Sequence, residues 1–162
     1  MHTEEIQKLA QALGRQCLNK KIILVTAESC TGGLLAESIT SVTGSSQWFD
    51  RGYITYSNQS KIDCLDVLSD TISQAGAVSQ ETANQMALGA IHNSKGNMSV
   101  SITGLAGPTG GTKIKPVGTI FFSIAQNKNI ILEHQAEFKG NRLTIRKKAL
   151  LFALNQLLML TL

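Results

Sequence analysis

Short, β-branched apolar segments alternate along this chain with segments whose apolar residues recur at helical spacing. Residues 22–26 are Ile-Ile-Leu-Val-Thr, a continuous run that is typical of a strand buried on both faces of a sheet. Helices are interspersed with such strands throughout the sequence. The alternation therefore predicts an α/β fold, a three-layer α/β/α sandwich around a mixed β-sheet.

Periodicity, capping residues and turns predict the individual elements. Helices are expected over about residues 3–18, from Thr31 to near Gly44, around Lys61, after an N-cap at Ser79, and from about Arg142. Strands are expected over residues 22–26, 52–56, 99–103, 117–125 and 130–138. The last two strands are joined at residues 127–129 as a hairpin, which makes the sheet mixed. With no internal repeat or linker, residues 1–162 are expected to form one domain.

Composition excludes several classes of protein. Of the 162 residues, 43% are apolar, too many for a disordered chain, and no run of about 18 apolar residues is present for a transmembrane helix. The polar start, residues 1–5, does not resemble a signal peptide. Three cysteines (Cys17, Cys30 and Cys64) without C-x-x-C spacing favour free thiols in a reducing compartment. We expect a cytoplasmic protein with no membrane partner.

The excess of positive charge is local. Fifteen Lys and Arg against eleven Asp and Glu leave a net charge of +4, and much of the excess lies between Lys139 and Lys148. Only 5% of residues are aromatic, so a nucleic-acid platform is poorly supported and a local attraction for phosphate fits better. The histidines (His2, His92 and His134) lie far apart, so no metal site is expected.

The segment 26–33 lies between the first predicted strand and a helix N-terminus, where free N–H groups and the helix dipole suit an anion or a developing oxyanion. Ser29 is a candidate nucleophile, with N–H groups around residues 30–32 as oxyanion donors. Alternatively, Ser29 and Thr31 are only helix N-caps. Cys30 is the rival nucleophile, since a thiol is intrinsically stronger, but a buried and inert cysteine is commoner. The spacing does not choose between them.

Tyr56, the last residue of the strand predicted at 52–56, and Lys61, which follows that strand, are candidates for a role at the site. Lys61 would supply the base that a histidine-poor site lacks, because burial favours a neutral amine. A solvated lysine at a helix start is the alternative. Tyr56 either donates a hydrogen bond from its hydroxyl at the site or packs at the sheet edge.

Residues 104–111 form a glycine-rich loop that could present several N–H groups to a phosphate, or simply serve as a connector. The loop matches neither a P-loop nor G-x-G-x-x-G, so neither ATP hydrolysis nor Rossmann dinucleotide binding is indicated. Thr103, which precedes the loop, would direct its hydroxyl at whatever the loop holds. Arg142 and Arg146 lie one helical turn apart on a shared face that suits a phosphate or carboxylate, or is a solvated basic face.

Several motifs occur together over nearly the whole chain. They are Ala-Glu-Ser-Cys-Thr-Gly-Gly at 27–33, Gly-Tyr-Ile-Thr-Tyr-Ser-Asn at 52–58 with Lys61, Gly-Ala-Val-Ser at 76–79, Thr-Gly-Leu-Ala-Gly-Pro at 103–108, and Lys-Pro-Val-Gly-Thr at 115–119. In this order and spacing the sequence resembles the CinA C-terminal domain family. These proteins are the nicotinamide-nucleotide amidohydrolases, also called nicotinamide mononucleotide deamidases.

The resemblance implies an α/β/α fold and hydrolysis of the carboxamide of nicotinamide mononucleotide (NMN) to nicotinate mononucleotide and ammonia, in NAD recycling. It implies no metal or other cofactor, and a homodimer. A serine nucleophile and a lysine base map onto Ser29 and Lys61, with Tyr56 near the reacting centre. The substrate-binding residues that we expect are Cys30, Thr31, Gly32, Thr103, Gly104, Gly107, Gly110, Gly111 and Arg142. Arg146 is the alternative to Arg142.

Other functions stay open at this point. A catalytically silent nucleotide-binding or regulatory module would bind NMN without releasing ammonia, and an amidase for another substrate would act on a different carboxamide. A DNA partner, suggested by the family's link to competence, is the weakest alternative because aromatic residues are scarce. The glycine-rich loop also departs from the common family pattern at Thr109 and Lys113, which could alter loop geometry or substrate passage.

Overall fold

The computed structural model describes residues 2–162, with side chains from Glu4 onward. The helices are α1 (His2–Lys20), α2 (Leu34–Thr40), α3 (Asn58–Leu65), α4 (Ser69–Ala75), α5 (Gln80–His92) and α6 (Arg142–Thr161), with a 3-10 turn at Ser45–Gln47. The strands are β1 (Leu24–Glu28), β2 (Phe49–Ile54), β3 (Met98–Gly104), β4 (Thr119–Gln126) and β5 (Asn129–Glu137). Within residues 2–162, no helix combines the length and apolar character that a membrane span requires.

The strands form one sheet in the order β2-β1-β3-β4-β5. β1 pairs in parallel with β2 and β3, whereas β3 with β4 and β4 with β5 are antiparallel pairs. Leu24 of β1 packs into a core with α1, α2 and α6, and Val25 and Ala27 pack on the opposite face against Leu65 of α3 and Met86 of α5. The predicted α/β/α sandwich around a mixed sheet is confirmed.

The order of the predicted elements is confirmed, but some boundaries are wrong. β1 extends to Glu28 instead of ending at residue 26, because Glu28 is paired with Ile54 on one side and Ile102 on the other. β2 begins at Phe49 instead of residue 52, since Phe49 already pairs with Leu24. α4 was not predicted, because its sequence carries no apolar stripe. In agreement with this, none of its side chains is fully buried.

The topology brings the candidate segments to one edge of the sheet. β1 and its parallel neighbours β2 and β3 end side by side, and the pairing continues past the strands: Ser29 N–H donates to the Ile102 carbonyl at 2.9 Å, and Thr55 N–H to the Glu28 carbonyl at 2.9 Å. The segments that follow these strands therefore meet at their carboxyl ends, where open α/β sheets commonly bind ligands.

Candidate active site

A cavity of about 190 Å³ opens at this edge of the sheet. Its walls are Ser29, Cys30, Tyr56, Asn58, Lys61, Ala77, Val78, Thr103, Gly104, Ala106 and Arg142. Seven of the residues that the sequence singled out therefore meet around one space. Thr31, Gly32, Gly107, Gly110 and Gly111 were also expected to bind substrate, but they do not line this cavity.

Lys61 and Ser29 form the most distinctive contact in the cavity. Lys61 is 1% exposed, and its Nζ lies 3.1 Å from Ser29 Oγ and 2.7 Å from the Thr55 carbonyl oxygen, both hydrogen bonds. The salt bridges formed by the described residues do not include Lys61. Burial lowers the pKa of Lys61 below its ordinary value, because removal from water disfavours the ammonium. The alternative of a solvated lysine is wrong, and the amine is placed to exchange a proton with Ser29.

Cys30 lies in the cavity wall beside Ser29. Its thiol is buried, and burial raises its pKa to about 12. The thiol is therefore protonated at neutral pH, and the thiolate is the form that acts as a nucleophile. Between the two rival side chains, only Ser29 has a base within hydrogen-bond distance of its reactive atom.

A buried carboxylate that the sequence analysis missed caps α2. Glu28 accepts hydrogen bonds from the N–H groups of Gly33 at 3.0 Å, Leu35 at 3.1 Å and Ala36 at 2.8 Å. A carboxylate is favoured at a helix N-terminus, a rule that could have singled out Glu28 from the sequence. Neither Ser29 nor Thr31 caps the helix. The Ser29 hydroxyl is therefore free of a capping role.

Two backbone N–H groups of the turn after β1 have no oxygen acceptor among the described residues. Gly32 N–H donates to the Ser29 carbonyl at 3.0 Å and Leu34 N–H to the Thr31 carbonyl at 3.2 Å. Among the described residues, no carbonyl or carboxylate oxygen accepts from the N–H groups of Cys30 or Thr31. The Cys30 N–H belongs to a residue of the cavity wall and the Thr31 N–H to the next residue of the turn, so both are candidates to hold a negatively charged oxygen.

The two arginines at the start of α6 have different positions. Arg142 lines the cavity, where its guanidinium donates to the Gly107 carbonyl at 2.7 Å and to the Tyr56 hydroxyl at 2.8 Å. Arg146 does not line the cavity; it donates to the carbonyls of Cys30 at 3.1 Å and Thr31 at 2.9 Å. Arg142 is thus the arginine within reach of a bound molecule, and it holds Tyr56 at the rim.

Ala77 and Val78 form part of the cavity wall. Thr103 Oγ1 donates to the Ala77 carbonyl at 2.8 Å, and Lys115 Nζ donates to the Val78 carbonyl at 2.6 Å. Four wall residues were not predicted as site residues: Asn58, Ala77, Val78 and Ala106. They lie within the motifs at 52–58, 76–79 and 103–108, which was the only signal available for them.

The exposed part of the glycine-rich loop holds the two departures from the family pattern. Thr109 and Lys113 are both exposed and lie outside the cavity wall. Among the side chains that the structure describes, from Glu4 onward, no group of three or more His, Cys, Asp or Glu is arranged to hold a metal ion. The cavity wall brings together a serine, a lysine and an arginine.

Comparison with known proteins gives consistent results. The sequence matches the family model of the CinA C-terminal domain over residues 6–161. It is 42% identical over 154 residues to nicotinamide-nucleotide amidohydrolase PncC of Enterobacter agglomerans, with 95% of this chain and 94% of that protein covered. PncC of Escherichia coli strain K12 is 40% identical over 157 residues, with 97% and 95% covered. The structure of competence/damage inducible protein CihA from Agrobacterium tumefaciens has a TM-score of 0.92 at 41% identity, with 97% of this chain and 96% of that chain covered.

Proposed function

Because this chain belongs to the CinA C-terminal domain family, and the two PncC relatives named above are nicotinamide-nucleotide amidohydrolases, we propose that it hydrolyses the carboxamide of NMN to nicotinate mononucleotide and ammonia. The observation that carries the proposal is the hydrogen bond of 3.1 Å between buried Lys61 and Ser29 inside the cavity. A base next to a serine, with N–H donors beside it, is the arrangement that acyl transfer requires.

In the proposed first step, neutral Lys61 accepts the proton of Ser29 Oγ, and the oxygen attacks the carboxamide carbon. The negative charge that develops on the carboxamide oxygen is held by the N–H groups of Cys30 and Thr31. Removing one such donor typically costs about 10²–10³ in rate. The lowered pKa of Lys61 favours this step, because more of the amine is in the neutral form.

In the second step, the Lys61 ammonium donates its proton to the leaving nitrogen, and ammonia departs as the C–N bond breaks. This leaves an ester between the nicotinoyl group and Ser29. A water molecule then gives a proton to Lys61 and attacks the ester carbon, and Lys61 returns a proton to Ser29 Oγ as nicotinate mononucleotide leaves. Lys61 thus acts first as a base and then as an acid in each half of the reaction.

The cavity suits one part of the substrate in size, and Arg142 in its wall suits the phosphate in charge. At about 190 Å³ it is smaller than ligand pockets of about 300–1,000 Å³. We infer that it receives the nicotinamide ring, while the ribosyl phosphate extends to Arg142 and the glycine-rich loop. A guanidinium is suited to phosphate because it presents several N–H donors in a plane.

The direct test is incubation of the purified, metal-stripped protein with NMN. We expect nicotinate mononucleotide and ammonia to appear in equal amounts, at a rate that added chelator does not change. Binding of NMN without product would contradict the proposal and favour a catalytically silent nucleotide-binding module. Ammonia from another carboxamide, with none from NMN, would indicate a different amidase.

Substitution of Arg142 by methionine is expected to weaken NMN binding. Loss of a charge-assisted contact of about 1.5–3 kcal/mol corresponds to a KM increase of about 10- to 150-fold, with kcat changed far less. Nicotinamide riboside, which lacks the phosphate, should be hydrolysed equally well by the variant and the wild type. The matched control is Lys147→Met, because Lys147 is an exposed residue of the same helix. An unchanged KM for NMN would contradict the assignment of Arg142.

The rate of hydrolysis is expected to depend on pH through Lys61. The neutral amine is the reactive form, so kcat/KM should rise as pH increases through the lowered pKa of Lys61, and should level off before the ordinary lysine value of 10.5. At lower pH the amine is protonated and activity is lost. Measurement of kcat/KM as a function of pH tests this expected rise and plateau. A rate that falls as pH rises above neutrality would contradict a lysine base.

We also propose that residues 1–162 act as one domain, that the protein is cytoplasmic, and that it forms a homodimer. These proposals rest on the resemblance to the family and on composition. Light scattering of the purified protein would test the dimer, and limited proteolysis that leaves one resistant core would support the single domain.

A further inference from the structure

We infer that Arg146 is a positioning residue for hydrolysis: it orients the peptide that presents the Thr31 N–H to the oxyanion. The inference rests on the proposed function, because it concerns the same reaction. Arg146 lies outside the cavity wall and would not touch substrate. Its effect is exerted through the turn that carries Ser29.

Arg146 binds two consecutive backbone carbonyls. Its Nε donates to the Cys30 carbonyl at 3.1 Å and its Nη2 donates to the Thr31 carbonyl at 2.9 Å. In a planar trans peptide, the C=O and the following N–H point in opposite directions. Holding the Cys30 carbonyl against the guanidinium therefore turns the Thr31 N–H away from Arg146.

The other end of the turn is held by the opposite charge. The Glu28 carboxylate accepts from the N–H groups of Gly33, Leu35 and Ala36, the start of α2. The carbonyls of Cys30 and Thr31 are thus bound to the Arg146 guanidinium, whereas the N–H groups at the start of α2 are bound to the Glu28 carboxylate. The Thr31 N–H belongs to the peptide whose carbonyl Arg146 binds, so its direction is fixed, and among the described residues no oxygen accepts a hydrogen bond from it.

Gly32 supplies an independent observation. It has a φ of +59°, and a Cβ added there would lie 3.1 Å from Arg146 Nη2. A Cβ at this position would require the end of the Arg146 side chain to shift by a few tenths of an ångström, and it would be strained in the left-handed region. Glycine at residue 32 lets Arg146 approach the backbone closely. This role does not require Gly32 to line the cavity.

The chemistry of the side chain is specific to arginine. A guanidinium presents donors in a rigid plane and can bind two adjacent carbonyls together, whereas a lysine ammonium is a point charge on a flexible stem. Lysine at residue 146 should therefore hold the turn only in part. If the Thr31 N–H is no longer held in its orientation, the rate of hydrolysis should fall nearly as much as it would on removal of one oxyanion donor, about 10²–10³-fold.

The test compares Arg146→Ala and Arg146→Lys with the control Lys147→Ala, which changes the next, exposed residue of α6. For NMN we expect kcat to fall about 10²-fold in Arg146→Ala, with an intermediate fall in Arg146→Lys and an unchanged KM in both. Added guanidinium ion should restore part of the kcat of Arg146→Ala, and methylammonium should not. Thermal unfolding of each variant verifies that it is folded.

A second readout does not depend on NMN. A small sulfonyl fluoride should modify Ser29 of the wild type, and modification should be slower in Arg146→Ala, because the same N–H groups hold the sulfonyl oxygen. If the wild type is silent toward NMN but shows this difference, the proposed function fails and the inference on Arg146 stands.

Four results would overturn the inference. One is a normal kcat in folded Arg146→Ala, and another is a loss confined to KM, which would make Arg146 a substrate ligand. The third is a wild type that is silent toward NMN and is either unmodified by the sulfonyl fluoride or modified at the same rate as Arg146→Ala. A kcat loss that guanidinium does not restore, with Arg146→Lys as impaired as Arg146→Ala, would also count against it.

Discussion

Substitution of Ser29 by alanine is expected to reduce kcat for NMN hydrolysis by at least about 10³-fold, because the nucleophile is removed while the binding groups stay in place. Arg142 and the cavity walls are untouched, so the variant should still bind NMN with an affinity close to that of the wild type. Product formation and equilibrium binding measured on the same preparation would separate the two effects.

The matched control for this variant is Ser73→Ala. Ser73 is exposed on α4, where its hydroxyl donates only to the Asp70 carbonyl. An exposed substitution of this kind usually changes stability by less than about 0.5 kcal/mol, so activity should stay near that of the wild type. Full activity in Ser29→Ala would contradict the proposed mechanism. In that case, loss of activity in Cys30→Ala would identify the thiol as the nucleophile.

Substitution of Lys61 by methionine is expected to reduce kcat by about 10²–10⁴-fold, the usual contribution of a positioned acid or base. Methionine has a similar length and no charge, and the position is 1% exposed, so the variant should fold. The amine that takes the proton from Ser29 Oγ is absent, and the ester would form slowly if at all. Steady-state kinetics on NMN give the size of the loss.

The pH profile of the residual activity makes this prediction specific. If Lys61 is the base, the rise of kcat/KM with pH that we expect in the wild type should be absent from Lys61→Met. The exposed control Lys147→Met should keep the profile of the wild type. A Lys61→Met protein that retains the same dependence on pH would show that another group titrates.

The fold was predictable where local sequence and burial agree. The buried run at residues 22–26 and the N-cap at Ser79 predicted β1 and α5, and Ser79 Oγ does accept from the Thr82 N–H. The carboxyl end of β1 was not predictable, because it depends on pairing of Glu28 with strands that lie far away in sequence. α4 was missed because a short helix with no buried side chain leaves no apolar pattern.

The candidate site was predictable as a set of residues, but not as a set of contacts. The motifs predicted Ser29 and Lys61 as site residues. Only the fold shows that Lys61 is buried and hydrogen-bonded to Ser29, which lies 32 positions away in the sequence. Arg142 and Arg146 share a helix face, and spacing alone did not separate them. Their roles differ because the cavity meets α6 at Arg142, while one turn later the helix faces the carbonyls of the turn after β1.

The most direct test of the central claim is to look for the ester on Ser29 itself. Wild-type protein in excess over NMN would be quenched in acid during the first turnover, digested, and analysed by peptide mass spectrometry. The account predicts a nicotinoyl nucleotide ester on the peptide that contains Ser29, formed and lost at rates compatible with turnover. An ester on Cys30, or turnover in which no acylated peptide forms, would contradict it.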